Sequence, residues 1–115
     1  MIFIVGGAYQ GKKAFAEQKF AGYQIVDAYH ACVRKQLQAG ENPVEQARLM
    51  LEDAGRTGSL PALVVISDEL GYGLVPVEYE ERIYRETNGR VNCYLAEQAE
   101  QVYRVVAGIA TKIKG

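Results

Sequence analysis

"IFIVGGAYQGKKAFAEQKF", residues 2–20, decides how this chain is read. Residues 2–5 are a short unbroken apolar run, the pattern of a strand buried on both faces. Gly6 and Gly7 end it, and residues 12–20 follow with helical spacing, with Ala14, Phe15 and Gln18 read as the inward side. Between strand and helix, Gly6, Gly11 and Lys12 have the G-x-x-x-x-G-K spacing of a phosphate-binding P-loop. Glycines allow backbone N–H groups to turn inward around phosphate oxygens. The helix N-terminus adds partial positive charge, and Lys12 adds a full one. The residues read as touching the ligand are Gly6, Gly7, Ala8, Tyr9, Gln10, Gly11, Lys12 and Lys13. The bland reading is a glycine turn with a solvated lysine. The position after Lys12, where a Ser or Thr hydroxyl would hold magnesium, is Lys13.

Outward from this stretch the chain alternates between the two periodicities. A second strand lies within residues 22–29 and ends near Asp27, and a helix covers 30–40, stopping at Gly40. Asn42, Pro43 and Glu45 form a helix start, and that helix runs to Gly55 ahead of a turn at 55–59. Residues 61–67, "PALVVIS", make the strongest strand, and a glycine-rich loop follows at 68–76. A long helix is expected over 77–101, interrupted or kinked near Gly89. A strand covers 102–108, and an edge strand is added at 109–115. This order predicts an α/β protein with a mostly parallel sheet, in one domain over residues 1–115. Ligands of such sheets sit beyond the carboxyl ends of the strands. The loops at 6–12, 27–30 and 68–76 should therefore converge.

Composition narrows the function. A net charge of −1 with a pI near 5.8 offers nothing to draw nucleic acid or a membrane. No apolar run reaches the length of a membrane span, and the start has no basic n-region. A cytoplasmic protein is expected, with Cys32 and Cys93 as free buried thiols. Asp27, expected at the end of the apolar strand adjacent to the first, is either the acid that holds magnesium through water or a cap of the next helix. His30, the only histidine, is either a base or, as favoured here, a partly buried helix-start residue. Glu78, Glu80, Glu81, Arg82 and Arg85 read as a solvated helix face.

The second half carries a more specific signal. "SDELGYGLVP", "GRVNC" and "VAGIATKIK" resemble the T-N-E-V-G-x-G-I-V-P loop, the G-R-x-N-Q segment and the V-x-G-I-x-x-K-I-K ending of the adenosylcobinamide kinase/adenosylcobinamide-phosphate guanylyltransferase family, P-loop enzymes of cobalamin biosynthesis. "GGAYQGKK" is similar to that family's G-G-A-R-S-G-K-S. The resemblance implies a P-loop (RecA-like) three-layer fold, here reduced in size. It also implies ATP or GTP as the nucleotide, cobinamide as a partner, and a homo-oligomer. It carries over Gly11, Lys12, Asp27, Glu69, Gly71, Gly73, Pro76, Arg90 and Asn92. Lys12, Asp27 and Glu69 take catalytic roles, Arg90 joins the nucleotide site, and Asp27 is the metal residue.

The departures are equally specific. The family's segment with the guanylylated histidine has no counterpart between "FAGYQ" and "IVDA". Asp68 replaces the loop's Asn, and Cys93 replaces the Gln after Asn92. Lys13 in place of Ser argues against magnesium. The expected protein is a truncated, kinase-like family member that binds nucleotide or phosphate with weak or absent catalysis and no guanylyl transfer. An active kinase acting on cobinamide or another small hydroxyl compound is the first alternative, and a protein-binding scaffold the second. Lys13 itself has two readings. It either replaces the metal by pairing with Asp27 or Asp68, or it points to solvent.

Overall fold

The computed structural model describes residues 1–70 and 78–115. Five strands form one sheet in the order β2-β3-β1-β4-β5. β1 (Ile2–Gly6) is central and runs parallel to β3 (Leu63–Asp68) and β4 (Gln101–Val106). β2 (Gln24–Val26) extends the parallel part on one side, and β5 (Ile109–Lys114) closes the other as an antiparallel hairpin partner of β4. The helices are α1 (Lys12–Lys19), α2 (Tyr29–Gln38), α3 (Pro43–Thr57) and α4 (Tyr79–Gln98).

The strand periodicity of two divides the core into two halves. Phe3 and Val5 of β1, with Leu63 and Val65 of β3, face α2, α3 and α4, where Val33, Leu51, Val91 and Leu95 meet them. Ile2 and Ile4, with Val64 and Ile66, face the opposite way onto Ala16 and Phe20 at α1 and its end. The architecture is therefore three-layered, with α1 alone covering one face. Phe15, Phe20 and Tyr103 fill that side with aromatic contacts at centroid distances of 5.1 to 6.3 Å. Among the described residues, no helix is long and apolar enough to cross a membrane.

Several boundaries differ from the expectation. The inward face of α1 is Lys12, Ala16 and the half-buried Phe15, whereas Ala14 and Gln18 are exposed. Lys12 begins this helix, so the buried stripe runs at i and i+4 from it. α3 continues past Gly55 to Thr57 and closes at Gly58. Asn42 caps it by accepting the N–H groups of Val44 and Glu45 through its side chain. α4 passes through Gly89 unbroken, because Tyr84, Asn88, Val91 and Leu95 keep one buried stripe on both sides of it. It ends at Gln98 and not at 101. Gly71, Gly73, Pro76 and Val77 lie outside the described residues. Cys32 and Cys93 are free but exposed, which corrects the expected burial. Each sits on the solvent side of its helix, one position before a fully buried Val33 or two after the buried Val91.

The largest correction concerns strand order. Asp27 was expected at the end of the strand beside β1. β3 takes that place and β2 lies one strand further out. The reason is hydrophobic. β3 buries five consecutive apolar or small residues, while the three residues of β2 are exposed or half-buried and suit an edge. The acid that ends the strand next to β1 is Asp68, directly opposite Gly6.

Candidate phosphate-binding site

The loop between β1 and α1 is held by contacts that only its own residues can make. A Cβ at Gly6 would collide with the carbonyl oxygen of Val105 on β4, so the close approach of the two strands requires glycine there. Gly11 stands just before α1 with φ +90, a left-handed conformation that lets the chain enter the helix. Gln10 ties the tip to the β4–β5 turn. Its carbonyl accepts the Gly108 N–H at 2.9 Å, and its Oε1 accepts the Ala107 N–H at 2.6 Å. Tyr9 also has positive φ and is fully exposed.

Residues Ala8 through Ala14 border a cavity of about 430 Å³ together with Asp27, Ala28, His30 and Asp68. The loops after β1 and β2 and the end of β3 thus meet at the carboxyl ends of the strands, as a parallel sheet dictates. The Lys12 side chain is only 7% exposed. Its Nζ donates to the Gly7 carbonyl at 2.5 Å and lies 2.8 Å from Asp68 Oδ1.

Asp68 is fixed from several directions. Its N–H donates to His30 Nδ1 at 3.1 Å, and its carbonyl accepts the side-chain amides of Asn88 and Asn92, each at 3.1 Å. Because Nδ1 of His30 accepts, the neutral ring carries its proton on Nε2, which faces Asp68 Oδ2 at 3.5 Å. The next residue, Glu69, donates its N–H to the Gly6 carbonyl at 2.8 Å, locking the two strand ends together. Its carboxylate receives a two-pronged contact from Arg104 at 2.8 and 3.1 Å.

The other residues proposed from the sequence are placed as follows. Asp27 borders the cavity, is exposed, and accepts the N–H of Ala28 at 2.8 Å. The N-cap of α2 is Ala28, with no side-chain cap hydrogen bond, so Asp27 does not cap that helix. Lys13 borders the cavity but extends to solvent and reaches Glu17 at 4.0 Å. The expected pair with Asp27 or Asp68 is not formed. Consecutive helical residues point about 100° apart, so Lys12 and Lys13 cannot share an environment. Arg90 is on the solvent side of α4, 3.7 Å from Glu86, and is not brought to this cavity. His30 is the partly buried helix-start residue expected, and its contact with Asp68 was not foreseen. A pointer to that contact was available, since Asp68 ends the most apolar strand of the chain.

A second cavity of about 340 Å³ adjoins the loop at Gly7 and Ala8 and includes Glu69, Arg34 and Tyr84. Arg34 bridges α2 to α4 through Glu81 at 2.7 and 3.2 Å and stacks 4.1 Å from the centre of the Tyr84 ring. Burial pushes the Tyr84 phenol above its ordinary value, and its hydroxyl donates to the His30 carbonyl at 2.9 Å. Among the described residues no group of three or more His, Cys, Asp or Glu is arranged to hold a metal.

The profile of the cobinamide kinase/cobinamide phosphate guanyltransferase family matches residues 21–113. The chain belongs to that family. The bifunctional adenosylcobalamin biosynthesis proteins CobU of Salmonella typhimurium strain LT2 and of Escherichia coli strain K12 are each 44% identical to it over 52 residues. That segment is 45% of this chain and 29% of either relative, so the chain matches less than a third of their length. The glycine loop at 6–13 precedes the residues that the family profile covers, and its reading rests on its own geometry.

Proposed function

We propose that this chain is a reduced member of the family that binds a nucleotide or phosphate at the loop 6–13, with weak or absent phosphoryl transfer and no guanylyl transfer. The observation that carries this reading is the cavity at the carboxyl ends of the strands. The loop, the N-terminus of α1 and Lys12 all border it. Backbone N–H groups of the loop and first helical turn supply donors, and Lys12 supplies the one buried cation among the cavity's described residues.

Magnesium held as in other P-loop proteins does not suit the residues present. The position of the metal-binding hydroxyl is Lys13, and the acid nearest the loop, Asp68, already faces the Lys12 ammonium. Without a metal, charge developing on a transferring phosphoryl group meets only Lys12 and backbone dipoles, which supports binding better than catalysis. His30, placed after Asp27 and engaged with Asp68, is not a counterpart of the family's guanylylated histidine. ATP or GTP and cobinamide are the ligands that family membership suggests. A homo-oligomer would cover the exposed Val106, Ile109 and Ile113 at the β5 edge.

The test is a thermal-unfolding titration with ATP, GTP, pyrophosphate and magnesium, alongside an assay for ADP or GDP release with cobinamide present. The reading expects stabilisation without turnover. Turnover would establish an active kinase, and the absence of both would favour a protein-binding scaffold.

A further inference from the structure

The ammonium that a phosphate would need is already occupied. Lys12 Nζ lies 2.8 Å from Asp68 Oδ1, and both side chains are largely buried. The Asp68 backbone is anchored, its N–H by His30 and its carbonyl by Asn88 and Asn92, so Lys12 is released only by rotation of the Asp68 side chain. The charges around the cavity are also balanced. Two lysines, Lys12 and Lys13, and two carboxylates, Asp27 and Asp68, border it. An entering phosphate therefore finds no surplus positive charge, and it competes with a carboxylate for Lys12. The family's loop has Asn at this position, and an amide would not neutralise the lysine.

We propose that Asp68 determines the ligand specificity of the loop by serving as a built-in anion on Lys12, so that a metal-free polyphosphate binds only by displacing it. This deepens the phosphate-binding reading above and rests on it. The class it disfavours is the free diphosphate or triphosphate. Ligands that bring a compensating cation, or that carry a single phosphate of lower charge, face a smaller penalty.

The experiment is calorimetric titration of the protein with sodium pyrophosphate in excess EDTA, for wild type, Asp68→Asn, Lys12→Ala and the double variant. The expected result is binding at least about tenfold tighter in Asp68→Asn, because the carboxylate that competes with the ligand for Lys12 is removed. That gain should vanish when Lys12 is also Ala, since the two residues act through one contact. Unchanged or weaker binding by Asp68→Asn would overturn the proposal and make Asp68 a residue that positions Lys12. If Asp68→Asn does not fold, Asp68→Ser takes its place. The wild type supplies an independent readout, because its Asp68 carboxyl carbon resonance must shift on saturation with pyrophosphate, and a static resonance counts against the proposal. If wild type binds and neither substitution gains, only this inference fails. If no form binds pyrophosphate at millimolar concentration, the phosphate-binding reading fails and takes the inference with it.

Discussion

Lys12 and Lys13 are chemically identical neighbours with opposite fates. Lys12 faces the sheet, 7% exposed and paired with Asp68, while Lys13 is 63% exposed with a 4.0 Å contact to Glu17. Exposed pairs of the second kind contribute little. Lys13→Ala should therefore leave stability within about 0.5 kcal/mol of wild type in urea unfolding. Lys12→Ala strands a largely buried carboxylate and should cost about 1–3 kcal/mol. A larger loss at Lys13 than at Lys12 would mean that the burial of the two has been assigned the wrong way round. At this scale the sequence was informative wherever the backbone alone sets the requirement. Gly6 and Gly11 were legible because spacing announces them. The partner of Lys12 was not, because it depends on which strand lies beside β1, and the alternation of strands and helices along the chain does not state their order in space.

At the scale of elements, helix ends announced by side-chain chemistry were readable and glycine was misleading. Asn42 caps α3 as expected, and Asn42→Ala should cost about 1 kcal/mol. Gly55 and Gly89 looked like a stop and a kink, but both sit inside continuous helices with open space where a Cβ would go. Gly89→Ala should accordingly raise stability by about 0.5–1 kcal/mol, read as a higher midpoint in thermal or urea unfolding. A kinked helix would show no such gain. The pairing of α2 with α4 leaves a signature in acid. The hydrogen bond from Arg34 holds the Glu81 carboxyl below its ordinary value of 4.5. A depressed carboxyl contributes stability that is present above that ordinary value and lost as pH falls through the lowered one. Glu81→Gln should flatten that part of the acid-unfolding profile and leave the profile above pH 6 or so unchanged in shape.

Over the whole molecule, the α/β alternation was legible because buried parallel strands read as apolar runs and helices as spaced ones. The edge positions were not, since β2 and β5 have mixed burial that periodicity cannot rank. The two faces of the sheet are unequally covered, with three helices on one side and an eight-residue α1 on the other. Phe20, at the end of α1, closes the thin side against Tyr103 and Tyr23. Phe20→Ala should cost about 3–5 kcal/mol, a large share of the stability of so small a domain, and should also loosen α1 and the loop before it. The central claim is that this loop is a phosphate site built around Lys12. Its most direct test is the shift in thermal unfolding midpoint with pyrophosphate, measured for wild type, Asp68→Asn and Lys12→Ala side by side. The account predicts a concentration-dependent rise in wild type that is mostly lost in Lys12→Ala. An equal rise in wild type and Lys12→Ala, or none in wild type and Asp68→Asn alike, would contradict it.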